Sequence, residues 1–213
     1  MSDDNIFKSA IGLANFIKMK NFMSTKQREP YYHMGATITD SILQAGMNYR
    51  HVVFPRILEL LYEYPNYTTT CDFLILIQTI PLEKLINWKN ERKLNSIEKL
   101  SWFLYENGIE NENLLASWLN NHENIIQLSS IKGIGAKTID YLKLLSGNQA
   151  IAIDRHLFKF LNMAGIDIHS YQEASEIYCK TAEILKISKY ELDRQIWFYM
   201  SNTKENRDQE FNF

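Results

Sequence analysis

The sequence predicts an all-α protein, and three observations support this prediction. Glycine and proline are scarce, at 8 and 4 of 213 residues, so few positions interrupt a helix. Apolar residues recur through most of the chain at the i, i+3, i+4, i+7 spacing of amphipathic helices. Runs that alternate apolar and polar residues, as half-buried strands do, are short. We therefore expect about ten helices.

Apolar stripes mark the predicted helices in order along the chain. They lie within residues 38–45, 52–61, 82–86, 97–104, 114–119, 125–128, 139–145, 157–161, 177–185 and 192–199. Short polar breaks separate the stripes, among them residues 64–66, 107–108, 120–123, 133–135 and 146–148. Asp72 is predicted to N-cap a helix over residues 73–79, Gly165 to end another helix, and Ser170 to cap the helix that follows.

Composition and charge exclude several classes of protein. An apolar fraction of 46% with 13% aromatic residues argues against disorder. The formal net charge of −2 gives no sign of a polyanion partner over the whole chain, although a local basic patch would suffice to bind one. The two cysteines, Cys71 and Cys179, are too few for a disulfide framework or for a site built from four thiolates.

We expect a soluble intracellular protein, either cytoplasmic or nucleoid-associated. The first ten residues are acidic and polar, where a signal peptide would be basic and then apolar. The sequence also lacks the run of about eighteen apolar residues that a transmembrane helix requires.

The segment from residue 128 to residue 161 carries the functional prediction. Gly133-Ile134-Gly135 is predicted as a tight hairpin between helices over 124–129 and 136–145. Such a turn leaves backbone N–H groups unpaired at the start of the second helix, where the helix dipole favours a phosphate oxygen. Ile134 is expected to be the buried plug of the turn. Between residues 129 and 160 there are five basic residues and two acidic ones, so the local charge is positive.

These motifs resemble those of the helix-hairpin-helix DNA glycosylase superfamily, the group of endonuclease III and the 8-oxoguanine DNA glycosylases. That family has a hairpin L-P-G-[IV]-G, a lysine two residues later, and an aspartate within V/I-D-x-H. Here Lys137 follows the hairpin 131–135, and Asp154 begins Asp-Arg-His after an apolar run. Residues 95–99 look like the family's N-S-K-A segment. Lys132 stands where the family usually has proline, and adds a possible phosphate contact.

The resemblance implies two helical subdomains with a cleft between them. A six-helix barrel domain over 35–145 would end in the helix-hairpin-helix, and residues 1–34 and 146–213 would form a second helical domain. The family's iron–sulfur loop is absent. We therefore expect no cofactor, apart from a monovalent cation that the hairpin could hold.

The resemblance also assigns roles to two residues. Lys137 would attack C1′ of the nucleotide, expel the base and form a Schiff base that permits β-elimination of the 3′ phosphate. Partial burial and the adjacent helix dipole would favour the neutral, nucleophilic amine. Asp154 is a natural N-cap for a helix over 155–163, and in the family such a carboxylate stabilises positive charge on the sugar.

Further residues are expected to contact DNA. Around the hairpin these are Lys132, Gly133, Ile134, Gly135, Thr138 and Arg155. The base must leave the stack, and a side chain fills the gap. The candidates for that wedge are Asn48, Tyr49 and Arg50, which lie in the turn over residues 44–50. Trp197 and Phe213 are candidates for the pocket of the extruded base.

The predicted function is a DNA glycosylase with AP lyase activity, acting as a monomer on duplex DNA that carries a lesion or mismatch. No membrane partner is expected. Two alternatives stay open: a monofunctional glycosylase in which water attacks, and a non-catalytic helix-hairpin-helix module that only binds DNA. The lesion is not identified by these motifs, although the Ile-Asp-Arg-His spelling and the segment from Leu192 to Trp197 favour an 8-oxoguanine type.

Overall fold

A computed structural model describes residues 2–20, 22 and 28–202. Every regular element in these ranges is helical, which confirms the all-α prediction. The helices are α1 (Asp3–Lys18), α2 (Met34–Leu43), α3 (Phe54–Glu63), α4 (Thr70–Thr79), α5 (Leu82–Leu85), α6 (Glu91–Glu106), α7 (Glu112–Trp118), α8 (His122–Ser129), α9 (Ala136–Leu145), α10 (Arg155–Met163), α11 (Tyr171–Leu185) and α12 (Lys189–Asn202). A π-helical segment, Tyr49–Val53, leads into α3.

The chain divides into two units. The first unit contains the described residues before Arg28 and those after Asn148, so both ends of the chain contribute to it. The second unit is the continuous segment Arg28–Asn148. It holds α2 to α9, and therefore the whole hairpin and the candidate wedge turn.

Helix α2 is the centre of the second unit. All ten of its residues are buried, and it packs against α3, α4, α6 and α9. A helix that lacks a charged face belongs in a core, and the sequence MGATITDSIL of α2 has one charged residue, Asp40. The surrounding core is aliphatic, with Phe73 as the largest fully buried side chain in this unit.

The first unit is built from two packed helix pairs. Helix α1 packs against α11, and α10 packs against α12. The core holds the fully buried side chains of Leu13, Phe160 and Tyr178. The Tyr178 hydroxyl donates to the carbonyl of Leu157 at 2.8 Å, which satisfies the one polar group of that side chain.

Helix caps explain where several elements begin. Ser170 accepts from the backbone N–H of Glu173, as predicted. The N-cap predicted for α4 was wrong: Thr69 is the N-cap, three residues before Asp72. Asp72 is the N3 residue of a capping box. The Thr69 hydroxyl accepts from the N–H of Asp72, and the Asp72 carboxylate accepts from the N–H of Thr69, each at 3.0 Å. Two reciprocal bonds outweigh a single cap further along.

Among the described helices, none has the length and apolar character needed to cross a membrane.

Candidate functional site

The hairpin between α8 and α9 has the predicted form. Helix α8 ends at Ser129, and the N–H of Ile134 donates to the carbonyl of Ile131 at 3.0 Å. Ile134 is 4% exposed and belongs to the core of its unit, so it is the plug of the turn. Gly133 has φ +99°, a conformation that L side chains rarely adopt, whereas Gly135 has an extended φ of −110°. The turn therefore requires glycine at one position, not at both.

The N-terminus of α9 faces outwards. Gly135 is its N-cap, and no side chain caps the helix there. The first-turn N–H groups of such a helix have no partner within the helix, and the dipole adds positive potential. Lys132, Gly133, Gly135 and Ala136 are exposed around this end. The arrangement suits an anion such as a phosphate. Thr138 is 7% exposed, so its side chain forms little of that surface.

The hairpin packs against helix α6. A β-carbon built on Gly133 would lie 2.6 Å from Oγ of Ser96, so the turn packs directly on that side chain. The Ser96 hydroxyl donates to the carbonyl of Arg92 at 2.9 Å, which holds it along the helix. Ser96 lies in the segment 95–99 that resembles a family motif, and the structure gives that segment a packing role.

Lys137 lies in the first turn of α9 and is partly buried. Lys93 lies close enough to Lys137 for the charges of the two side chains to interact. Burial, together with the charge of Lys137, lowers the pKa of Lys93 to about 8. Lys93 Nζ donates to the carbonyls of Ile42, Leu43 and Ala45 at 3.0, 2.8 and 2.7 Å, which are the last carbonyls of α2 and its continuation. Lys93 thus caps the C-terminus of α2. The sequence gives no sign of this capping role, because a lysine beside Arg92 and Glu91 is typical of a solvated helix face or of a patch that faces DNA.

Asp154 is the N-cap of α10, as predicted. Its Oδ1 accepts from the backbone N–H groups of His156 at 2.8 Å and Leu157 at 3.1 Å. Two bonds from the helix end hold the carboxylate in one orientation. The residue is partly buried, and Arg155 beside it is exposed. Asp154 belongs to the first unit and Lys137 to the second.

The extended segment before Asp154 is also held. The N–H of Ala152 donates to Oδ2 of Asp193 at 2.9 Å, and Asp193 is 8% exposed on α12. A buried carboxylate that accepts a backbone N–H fixes the strand-like run two residues ahead of the cap. Asp193 lies in the segment that favoured an 8-oxoguanine type, and the structure shows it in a supporting position.

The wedge candidates differ in their surroundings. Asn48 caps the π-helical segment by accepting from the N–H of His51 at 3.0 Å. Arg50 is exposed. Tyr49 is partly buried, stacks on Phe54, and its hydroxyl bonds to a buried group in its own unit, Asp40. Of the three, Arg50 has the most solvent-facing side chain.

Of the two base-pocket candidates, Trp197 lies within the described residues. Trp197 is partly exposed on α12, and the guanidinium of Arg194 lies 5.3 Å from its ring centroid, a cation–π contact. Phe213 lies outside the described residues.

One solved structure is similar to nearly the whole chain. It is the crystal structure of the H. pylori 3-methyladenine DNA glycosylase (MagIII) bound to 1,N6-ethenoadenine, with a TM-score of 0.52 at 18% sequence identity. The similarity covers 98% of this chain and 99% of that chain. No protein-family model and no curated protein matches the sequence. The chain has the helix-hairpin-helix DNA glycosylase fold, which confirms the fold class and the resemblance seen in the hairpin motif.

Proposed function

We propose that this chain, with its helix-hairpin-helix DNA glycosylase fold, removes a damaged base from duplex DNA. The observation that carries the proposal is the exposed, uncapped N-terminus of α9 behind the Gly133 turn, with Lys137 in its first turn. This end of the helix would hold a phosphate through backbone N–H groups, as helix-hairpin-helix motifs hold DNA without reading its sequence. Lys132 and Arg155, both exposed, would add phosphate contacts.

Lys137 is the proposed nucleophile. Its neutral Nζ would form a bond to C1′ of the damaged nucleotide while the bond from C1′ to the base breaks, and the base leaves with the electron pair. Opening of the sugar ring gives an imine between Nζ and C1′. Loss of a proton from C2′ then expels the 3′ phosphate, which is the AP lyase step.

Asp154 is the proposed stabiliser of positive charge on the sugar. A carboxylate held by two backbone N–H groups is oriented before the substrate arrives, so little reorganisation is needed as charge develops. The bond between Ala152 and Asp193 fixes the backbone that leads to it.

The proposed substrate class is a modified purine. The similar H. pylori protein is a 3-methyladenine DNA glycosylase whose structure holds 1,N6-ethenoadenine, which favours alkylated adenine. The sequence around Asp154 and Trp197 favours 8-oxoguanine. Both lesions require extrusion of a large base from the stack, and the partly exposed Trp197 ring offers a face on which such a base could stack.

A panel of lesion-bearing duplexes tests the proposal. Each duplex carries one lesion: 8-oxoguanine, 3-methyladenine, 1,N6-ethenoadenine, uracil or a thymine mismatch. Excision is scored by strand breakage after alkali, and nicking is scored without alkali on the same duplex and on a preformed abasic site. We expect excision of a modified purine together with nicking of the abasic site.

Two other outcomes would each overturn part of the proposal. Excision without nicking of a preformed abasic site means that water is the nucleophile and that Lys137 only contacts phosphate. Duplex binding that weakens steeply with salt, with no excision of any lesion, means a non-catalytic DNA-binding module.

A further inference from the structure

A buried carboxylate that the proposed reaction does not use lies in the middle of the second unit. Asp40 is 0% exposed and is the one charged residue of α2. Burying an ionised carboxylate is unfavourable unless hydrogen bonds compensate for the lost water. An ionised Asp40 therefore lowers the stability of the folded state unless its hydrogen bonds compensate, and we looked for a functional reason for its presence in the contacts that it makes.

Three tyrosine hydroxyls surround Asp40. Tyr31 donates to Oδ2 at 2.7 Å, Tyr49 donates to Oδ2 at 3.4 Å, and Tyr141 donates to Oδ1 at 3.5 Å. The hydroxyls of Tyr31 and Tyr49 are 3.2 Å apart. The short bond from Tyr31 is charge-assisted, and the two longer ones complete the set.

An arginine, Arg28, contacts two of these tyrosines. The Nη1 of Arg28 donates to the Tyr49 hydroxyl at 3.1 Å, and its guanidinium lies 4.0 Å from the centroid of the Tyr31 ring. A cation over one ring and bonded to another hydroxyl compensates for the negative charge on Asp40. We call Arg28, Tyr31, Asp40, Tyr49 and Tyr141 the Asp40 cluster.

The Asp40 cluster joins the wedge turn predicted from the sequence to α9, the helix that the proposed function places on DNA. Tyr49 lies between the wedge candidates Asn48 and Arg50. Tyr141 lies four residues after Lys137 on α9, so the two side chains share one face of that helix. A single carboxylate on the central helix thus contacts both the wedge turn and the helix that carries the proposed nucleophile.

We propose that Asp40 is a positioning residue, whose carboxylate holds Tyr49 and Tyr141 and thereby fixes the wedge turn relative to the first turn of α9. The inference rests on the proposed function and deepens it. With the cluster intact, the wedge side chain fills the gap left by the extruded nucleotide while the amine of Lys137 reaches C1′ of that nucleotide. Without it, the two segments would act independently, and base extrusion would suffer before DNA binding does.

The protonation state of Asp40 offers a spectroscopic handle. Burial raises the pKa of Asp40 to about 6, and hydrogen bonds from the tyrosines and the charge of Arg28 oppose that rise. A protonated Asp40 becomes a donor at one oxygen, so the tyrosine hydroxyls must rearrange. Other titratable groups bond to the two ends of α2: His33 and Glu112 at the N-terminus, and Lys93 at the C-terminus.

Two measurements test the role of Asp40. In the free protein, we expect the near-ultraviolet circular dichroism of tyrosine to change with a midpoint near pH 6 in the wild type and to stay flat in Asp40→Asn. The second uses a duplex that carries a tetrahydrofuran abasic analogue beside 2-aminopurine, whose fluorescence rises when the base unstacks. We expect Asp40→Asn to reduce that rise about 10-fold while duplex affinity changes less than about 3-fold.

Matched variants make the test specific. Tyr49→Phe and Tyr141→Phe each remove one hydroxyl from the Asp40 cluster and keep the ring, so each should lower the fluorescence rise without unfolding the protein. Asp140→Asn is the control, since this carboxylate lies on α9 beside Tyr141 but pairs with Lys143 at 3.4 Å. It should leave the fluorescence rise unchanged.

The outcomes separate this inference from the proposed function. A wild type that unstacks no base overturns the proposed function. A wild type that unstacks the base, with Asp40→Asn matching it in amplitude and in pH dependence, overturns the role of Asp40 alone. If Asp40→Asn does not fold, the two phenylalanine variants decide: full fluorescence in both overturns the inference.

Discussion

The Oγ of Ser96 lies 2.6 Å from the position that a β-carbon on residue 133 would take. Real β-carbons essentially never make so short a contact. Residue 133 also has φ +99°. Two independent constraints, one of backbone conformation and one of space, therefore restrict this position to glycine.

Gly133→Ala should destabilise the protein by at least about 1–2 kcal/mol, because alanine is strained at a positive φ and meets Ser96. Unfolding in urea, followed by circular dichroism, measures the change. Gly135→Ala is the control: its φ is −110° and no atom lies within 4 Å of the added carbon. Adding Ser96→Ala to Gly133→Ala removes Oγ without placing a glycine inside α6, and should recover only the contact part. Equal stabilities for the two alanine variants would contradict this account of the turn.

Lys137→Gln should abolish covalent trapping by borohydride on a damaged duplex and retain duplex binding, because the imine needs an amine at this position. Gel electrophoresis of the trapped complex is the readout. Lys143→Gln, a change at the other end of α9, should trap as the wild type does. Trapping that persists in Lys137→Gln would identify another amine as the nucleophile. The first candidate would be Lys93, whose pKa responds to the charge of Lys137.

Asp154 has a structural role and a proposed chemical role, and two substitutions separate them. Asparagine caps helices about as well as aspartate, so Asp154→Asn should keep the melting temperature but lose base excision by at least about 100-fold. Asp154→Ala should lose excision and also about 1 kcal/mol of stability, because the bonds to His156 and Leu157 disappear. Single-turnover excision and thermal unfolding are the measurements. An Asn variant with normal excision would remove this carboxylate from the reaction.

Asp40 should make the stability of the protein depend on pH. Its pKa rises from 3.8 to about 6 on folding, so the folded state binds the proton more tightly than the unfolded state. The resulting stabilisation is fully present below about pH 4 and is lost as the pH rises through 6, a change on the order of 3 kcal/mol. Asp40→Asn lacks this titration.

Urea unfolding of the wild type and Asp40→Asn at several pH values checks that expectation. Relative to the variant, the wild type should lose stability between about pH 4 and pH 7. Parallel stability curves would show that the carboxyl group titrates alike in the folded and unfolded chains.

Local signals explain what was predictable from the sequence. The bounds predicted for α9 and α10 agree with the structure, because Gly135 and Asp154 mark their starts unambiguously. Ile134 is buried and Asp154 caps its helix, since both properties depend on residues only a few positions away. Helix α8 starts two residues earlier than predicted, at His122, because Asn121 caps it.

Long-range contacts explain what was not predictable. Asp40 looks like a lone acid on an apolar helix, and its partner Tyr141 is 101 residues away. Lys93 has the composition of a surface helix around it, yet its carbonyl acceptors lie about 50 residues earlier. The periodicity of one helix carries no information about contacts with distant helices. The partners of Asp40 and Lys93 are therefore seen only in the folded structure.

The pairing of α1 with α11 has a consequence for synthesis of the chain. Helix α1 is synthesised before α2 to α10, whereas α11, against which it packs, is synthesised after them. The continuous segment from Arg28 to Asn148 forms a compact unit of its own, so its core can form before α11 has been made. The apolar stripe of α1, which includes Ile6, Leu13 and Ile17, therefore stays without its packing partner until α11 has been synthesised.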